Sequence, residues 1–281
     1  MKQPLSFSIV TPSFNQAAFI EEALASVNRQ GTRTLEHWVI DGGSGDDTVD
    51  LLRGLAARED GKHLRWLSEP DRGQSHALNK GFARATGDIV GWLNSDDRYR
   101  DGCFERVAKA FHEHPEVDIV YGDYTWMDEA GRVFRIRREI EYNYFVLLYH
   151  RIPYIASTAT FFRRRIFDEG HRLDERWHYA MDFDFFLRLA SQGYRYLHVP
   201  AVLADFRFQR NSKTCTAAHK QVEEINAIMQ LNSPLLRSLK TPVSRRVTTA
   251  LLRSCAGAMR YSEKLMRGYY FEQHRPAALN S

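Results

Sequence analysis

The sequence of 281 residues is short of several features that mark large protein classes. It has 3 cysteines, Cys103, Cys215 and Cys255, odd in number and far apart. No Cys-x-x-Cys occurs, so neither a disulfide framework nor a zinc ribbon is indicated, and a reducing cytoplasm is expected. No apolar run approaches the roughly 20 residues that span a bilayer, so any membrane contact is expected to be peripheral. Met1 to Ser8 carries one lysine and no long apolar region, which does not read as a signal peptide. A formal charge of +4 is small for this length and gives no argument for nucleic acid. Internal repeats and low-complexity tracts are absent. So are the phosphate-binding loops of two common nucleotide folds. The first strand-like run is followed by Thr-Pro-Ser-Phe-Asn, not Gly-x-Gly-x-x-Gly, and no Gly-x-x-x-x-Gly-Lys-Ser/Thr occurs.

What is present reads as one large globular domain with an appendage. The organising stretch is Asp88 to Asp97, where an apolar run from Ile89 to Leu93 ends in Asn94, Ser95, Asp96 and Asp97. Such a run predicts a buried strand of a parallel sheet, with its carboxylates where open α/β sheets bind ligands. A solvated turn is the alternative, since Asn and Asp are ordinary turn residues. The chain before it favours the ligand edge. Strand-like runs at Phe7 to Val10, Leu35 to Ile40 and Leu64 to Leu67 alternate with helical spacing at Ala17 to Gln30, after Thr48, and at Ser75 to Ala85. That order predicts an α/β fold with a mostly parallel central sheet and helices on both faces. The strand ends would bring Asn15, Asp41, Asp71 and the Asp96–Asp97 pair to one edge. Hard divalent cations take oxygen ligands and bridge carboxylates to phosphates, so Asp96 and Asp97 are expected to hold a metal and a phosphorylated ligand.

The second half predicts a helix over Gly102 to His114, strands at Ile119 to Trp126, Val133 to Ile136 and Ser157 to Phe162, and a strand from Tyr194 to Val199 stopped by Pro200. The aromatics of Asn143 to Arg151 are expected in the core rather than under a sugar. Arg163 to Arg165 is expected to be a solvated turn. A helical pattern starts at Asp182, with Phe185, Phe186 and Leu189 inward. Asp182 is either a cap or a carboxylate held at a helix N-terminus, suited to a general base. Phe206 to Thr214 carries basic and hydroxyl groups that could reach a diphosphate. In the tail, a helix over Val243 to Arg267 has Val247, Ala250, Leu251, Ala258 and Leu265 on one side. Arg246, Arg253, Arg260 and Arg267 recur along another stripe, either as a solvated face or as a face for an anionic membrane.

With these residues in view, the chain resembles the family 2 glycosyltransferases, an inverting group with the GT-A fold. The likeness covers about residues 5 to 215. It rests on Thr11-Pro12-Ser13-Phe14-Asn15, Asp41-Gly42-Gly43-Ser44 with Asp47-Thr48, and Asp71-x-Gly73. It continues through Ala77-Leu78-Asn79-x-Gly81, Ala85-Thr86-Gly87-Asp88, Asn94-Ser95-Asp96-Asp97 and Asp182-x-Asp184 with Leu187-Arg188-Leu189. The resemblance implies a GT-A domain over 1–215, a donor half of about 1–100, an acceptor half of about 101–215, and a helical extension over 216–281. It implies sugar transfer from a nucleotide-diphosphate donor, taken as a UDP-sugar, to an acceptor hydroxyl with inversion. Cell-surface polysaccharide or glycolipid synthesis, with a saccharide or lipid-linked saccharide acceptor, is the implied setting.

In this likeness Thr11, Pro12, Ser13, Phe14, Asn15, Asp41, Asp71, Asn94 and Asp96 bind the donor, with Asp41 at the base and Asp96 at the ribose or metal shell. Asp97 ligates Mg²⁺ or Mn²⁺, and Asp182 is the general base. Asn94 stands where the family often has an acid, Gln209 where many members have a histidine, and Met181 where an acid is common. A non-catalytic sugar-nucleotide-binding protein is the competing class. A nucleotidyltransferase is disfavoured, because Thr11 to Asn15 is not a glycine- and lysine-rich loop.

Overall fold

A computed structural model describes residues 4–58, 61–209 and 217–272. The first half runs β1 (Phe7–Ser13), α1 (Ile20–Asn28), β2 (Thr34–Asp41), α2 (Thr48–Ala56), β3 (Leu64–Ser68), α3 (Gln74–Phe82) and β4 (Ile89–Trp92). The second half continues with β5 (Arg98–Tyr99), α4 (Cys103–Glu113), β6 (Ile119–Met127), β7 (Val133–Arg137), α5 (Tyr144–Tyr149), β8 (Thr160–Arg163), α6 (Arg165–Asp168), α7 (Met181–Ser191) and β9 (Tyr196–Arg207). Helices α8 (Ala218–Asn232), α9 (Pro234–Ser238), α10 (Pro242–Met266) and α11 (Tyr269–Glu272) follow.

The strands form a single mixed, mostly parallel sheet in the order β3-β2-β1-β4-β8-β6-β9-β5, with β7 paired to β6. β1, β2, β3 and β4 are mutually parallel; β8 runs against β4 and β6, and β9 is parallel to β6. β1 is buried along its whole length, as a strand covered on both faces must be. One face is covered by α3, α5, α7 and α8, through Leu78, Phe82, Leu147, Phe185, Phe186 and Ile228. The other is covered by α1 and α4, through Val27, Phe104, Val107 and Phe111. Helix α3 lies so close to β1 that a Cβ on Gly81 would meet a Val10 methyl at 2.2 Å.

Three expectations are corrected. β9 does not stop at Pro200 but runs to Arg207. Its register with β6 skips from Val199 to Val202, so Pro200, which has no N–H to give, sits in an irregularity and breaks no ladder bond. Ser157 to Ala159 is a 3₁₀ turn, and the strand begins only at Thr160. Arg163 and Arg165 are not free in a solvated turn. Arg163 Nε donates to the Val117 carbonyl at 2.6 Å, and Arg165 pairs with the buried Asp118. Of the α5 aromatics, Tyr149 enters the core, where its hydroxyl bonds Ser233 Oγ at 2.6 Å, Phe145 packs against it, and Tyr144 is exposed.

The long α10 is present but turned about its axis relative to expectation. Its apolar residues Val243, Val247, Leu251 and Leu265 are exposed, whereas Arg260 is buried and paired with Glu139. Lys264 also reaches Glu139, at 3.1 Å, and Arg267 reaches Glu141 at 3.0 Å. The cause is the surface that α10 lands on. Glu139 is fully buried, and a buried carboxylate without a cation is far costlier than an exposed leucine. Arg246 is the member of the stripe left exposed.

Candidate active site

The parallel strands end side by side, Ser13 opposite Asp41 and Asp41 opposite Ser68. The loops beyond them are tied together by their own polar groups. Asn15 has a left-handed backbone, φ 53°, and its carboxamide oxygen accepts from Gly45 N at 2.9 Å while its N–H donates to Ser44 Oγ at 2.8 Å. Asn is among the few residues that adopt this conformation at small cost. The arrangement leaves Phe14 at the tip, 59% exposed. Ser13 is buried, and Pro12 precedes it within β1.

Two of the expected donor-binding residues, Thr11 and Asp41, are fully buried. Thr11 is fully buried and bonds His37 Nε2 at 2.8 Å. Asp41 is fully buried as well. It accepts from Gly43 N at 3.1 Å, Ser44 N at 2.9 Å and Ser68 Oγ at 2.6 Å. Asp41 therefore ties the β2–α2 loop together. Asp71 is more accessible than Asp41. It accepts from Gly73 N at 2.7 Å and lies against Gly42, where a Cβ would meet its Oδ2 at 2.6 Å.

At the end of β4, Asn94 Oδ1 accepts from Trp92 Nε1 and from Gln74 Nε2, both at 2.9 Å. Two donors on the oxygen settle which way the amide faces, and its Nδ2 donates to Asp97 Oδ2 at 2.9 Å. Asp97 Oδ1 accepts from Arg207 N at 2.8 Å. Asp97 is 1% exposed, and burial, then the neighbouring Asp96 charge, push its carboxyl well above the usual range. Asp96 stays partly exposed, accepts from Gln209 Nε2 at 2.6 Å, and is also raised, chiefly by burial. Among the described residues, the donors that reach these oxygens include Gln209, Asn94 and a main-chain N–H, all neutral. The Arg207 guanidinium is turned elsewhere: Nε donates to the Asp96 carbonyl at 2.7 Å, and the group pairs with Glu22. Arg210 to Thr214, expected near a diphosphate, lie outside the described residues.

Asp182 sits in the first turn of α7, partly exposed, with Oδ1 accepting from Phe183 N at 2.8 Å. Burial raises its carboxyl to about 6. The first turn of α3 connects it to the acids of β4. Gln74 bonds Asn94, while the next residue, Ser75, reaches Met181 Sδ at 3.0 Å and the Trp177 carbonyl at 3.3 Å. Asp184, by contrast, is committed to Arg188 at 2.7 Å.

A model of the family described as "Glycosyl transferase family 2" matches residues 8–170. The chain belongs to glycosyl transferase family 2. This glycosyltransferase is 33% identical over 204 residues to a "PGL/p-HBAD biosynthesis glycosyltransferase" of Mycobacterium bovis, covering 69% of this chain and 74% of the relative. Its fold is similar to that of S. aureus TarS 1–349 in complex with UDP-GlcNAc, with TM-score 0.67, 16% identity, and coverage of 95% and 76% of the two chains. Against a longer TarS chain it covers 88% of itself but 42% of that chain, at TM-score 0.62. The mannosyltransferase PcManGT from Pyrobaculum calidifontis, in complex with GDP-Man and Mn²⁺, matches at TM-score 0.63 and 18% identity, over 98% and 82% of the chains. These likenesses carry the GT-A-like fold.

The family match stops short of Asp182, so the second half of the glycosyltransferase site rests on geometry. Residues that motif reading passed over include Gln74, Ser75, Glu22 and Glu224. Gln74 and Ser75 directly follow Asp71-x-Gly73, and their position at a helix start was the available signal. Glu22 and Glu224 had none, because each acts on a residue more than 40 positions away.

Proposed function

We propose that this glycosyltransferase moves a hexosyl or N-acetylhexosaminyl unit from a nucleoside-diphosphate sugar, with UDP as the carrier, to an acceptor hydroxyl, inverting the anomeric carbon. The observation that carries the reading is the α3 first turn, which links Asn94 of the β4 acids to Met181 beside Asp182. Inverting transfer needs one base on the acceptor side and charge stabilisation on the leaving-group side, and the two carboxylate groups meet that need. Asp182 takes the proton of the acceptor hydroxyl as the new bond forms. A carboxyl raised to about 6 is ionised at neutral pH yet a stronger base than an ordinary carboxylate.

The β4 acids fit a divalent cation, Mg²⁺ or Mn²⁺. Both carboxyls are raised by burial, and among the described residues no cationic side chain bonds their oxygens. No cluster of three or more His, Cys, Asp or Glu occurs among the described residues, so the donor diphosphate and water would complete the shell. We assign the cation to Asp96, the partly exposed acid, and not to Asp97 as expected, because both Asp97 oxygens are already held by Arg207 N and Asn94. When bound, the cation supplies Lewis-acid neutralisation of the leaving diphosphate. Asp97 keeps Asn94 and the end of β9 in register beneath it. Ser13, Phe14, Asn15 and Asp71 form the nucleoside side, with the exposed Phe14 ring as a stacking surface. Thr11, Pro12 and Asp41 hold that surface from below. A panel of UDP- and GDP-sugars with Mn²⁺, read by melting temperature and donor hydrolysis, tests the reading. Stabilisation without turnover would favour a non-catalytic sugar-nucleotide-binding protein, and no response to any donor would sink both.

The relatives named for PGL/p-HBAD biosynthesis motivate a lipid-linked acceptor. A membrane contact through the extension fits that reading. No helix among the described residues is long and apolar enough to cross a membrane. However, Leu235, Val243, Val247 and Leu251 are exposed beside the exposed bases Arg237, Lys240 and Arg246. From Ile225 to Ser262 the sequence has no acid, which suits an anionic lipid surface and opposes pairing with a second copy of itself. The apolar stripe, not the arginine stripe, would enter the interface. Flotation with anionic and neutral vesicles tests this; equal, negligible binding to both would remove it.

A further inference from the structure

Three successive main-chain N–H groups, of His178, Tyr179 and Ala180, converge on one carboxylate. Glu224 Oε2 accepts from Tyr179 N at 2.8 Å and from Ala180 N at 2.9 Å, and its Oε1 accepts from His178 N at 3.0 Å. Successive amides aimed at one point form an anion-binding nest. Here the anion comes from α8, 44 residues further along the chain from Ala180. The nest ends two residues before Asp182, and Ala180 itself makes no side-chain cap for α7. Apolar packing also holds this segment, with Ala180 and Met181 in the core and Trp177 against it, so the nest acts on its polar groups. Gln221 Nε2 donates to the Tyr179 carbonyl at 3.2 Å, and Ser75 touches the Trp177 carbonyl at 3.3 Å. An amide nest left empty would leave three donors without their acceptor and loosen the turn that leads to the base.

We propose that Glu224 is a positioning residue for the transfer reaction: its carboxylate fixes the His178–Ala180 nest and so holds Asp182 at the acceptor side of the site. The proposal rests on reading Asp182 as the base. Glu224 lies beyond the family match, which ends at residue 170, so this support comes from the chain's own extension. A second effect follows from charge. The Glu224 negative charge adds to burial in raising the Asp182 carboxyl. Other charged groups nearby are engaged elsewhere: Asp184 with Arg188, Arg72 with Glu175, and Lys220 over the Tyr179 ring. His178 from the loop, His76 from α3 and His219 from α8 are the imidazoles of these elements, and Glu223 is the other acid of α8.

The test uses the full chain with Glu224→Ala, Glu224→Gln and Asp182→Asn, assayed for transfer, donor affinity and melting temperature. In Glu224→Ala, kcat is expected to fall roughly ten- to hundredfold per folded enzyme while donor KM stays near wild type. In Glu224→Gln, which keeps volume and an acceptor oxygen, the fall is expected to be smaller and the acid limb of the pH–rate profile to move to lower pH. If Glu224→Ala does not fold, the Gln variant and its pH limb decide. Wild-type kcat with an unmoved limb, while Asp182→Asn is inactive, overturns the role of Glu224. Near-normal turnover in Asp182→Asn overturns the base reading instead.

Discussion

Asn94 donates to Asp97 at 2.9 Å, and it can do so because Trp92 and Gln74 occupy its oxygen. An amide at this position supplies a donor where an acid would supply a third negative charge. Asn94→Asp is therefore expected to destabilise the protein by about 1–3 kcal/mol, the usual cost of an unsatisfied buried polar group. Thermal or urea unfolding at pH 7 checks this, and the defect should shrink as the pH is lowered and a carboxyl protonates. A variant as stable as wild type at pH 7 would show that the bond is not needed.

Asp96→Asn and Asp97→Asn should separate the two acids. The first is expected to lose Mn²⁺-dependent donor binding with little loss of melting temperature, since it removes a repelling charge. The second turns a donor toward Asn94 or Arg207 N and should melt lower. Calorimetric donor titration with and without Mn²⁺ reads the difference. Retained cation dependence in Asp96→Asn would return the metal to Asp97.

Asp182→Asn is expected to reduce transfer by about 10²–10⁴-fold while donor affinity persists. In wild type the rate should fall as the pH drops through about 6, where the base becomes protonated. Stability carries the opposite sign. A carboxyl whose folded value lies above its unfolded value of 3.8 favours folding more as the pH falls from about 6 toward 4, because the folded state binds the extra proton. Asp182→Asn should thus gain stability relative to wild type above pH 6, measured by melting across pH 4 to 8.

Arg260→Met removes one cation from the fully buried Glu139, leaving Lys264 at 3.1 Å and Arg137 at 3.7 Å. Breaking a buried pair from one side typically costs about 3–5 kcal/mol, and the remaining bases should lower that figure. The double variant Arg260→Met with Glu139→Leu should recover part of the loss, read by urea unfolding. Equal loss in single and double variants would mean that the pair is not what holds α10.

Val247→Glu with Leu251→Glu places acids on the exposed face of α10. Binding to anionic vesicles is expected to drop at least severalfold at unchanged melting temperature. Unchanged flotation would move the contact elsewhere.

The donor half was legible because its strands are short, buried and closed by polar residues, so pattern and ligand edge coincide from Phe7 to Asp97. Asp182 was legible for the same reason, as an acid opening an apolar helix. What the sequence concealed were the partners of buried charge. Val247 and Leu251 read as inward only while Glu139 and Glu141 are ignored, since helix periodicity says which residues share a face but not which face meets the core. Pro200 misled in the same way, because a strand can pass a proline when the neighbouring register slips. Asp41 and Thr11 lie at the expected strand ends, but their burial there depends on the neighbouring strands and loops, which the local sequence does not show.

The nest filled by Glu224 has a consequence for where this enzyme can be cut or changed. A boundary drawn at residue 215 keeps every strand but strips Ile228 and its α8 neighbours from one face of the sheet, and it leaves the three amides before Asp182 without their anion. Substitutions in α8 could then adjust the acceptor chemistry while every residue on the nucleotide side stays as it is. The extension would act as a tuning element for one half of the reaction.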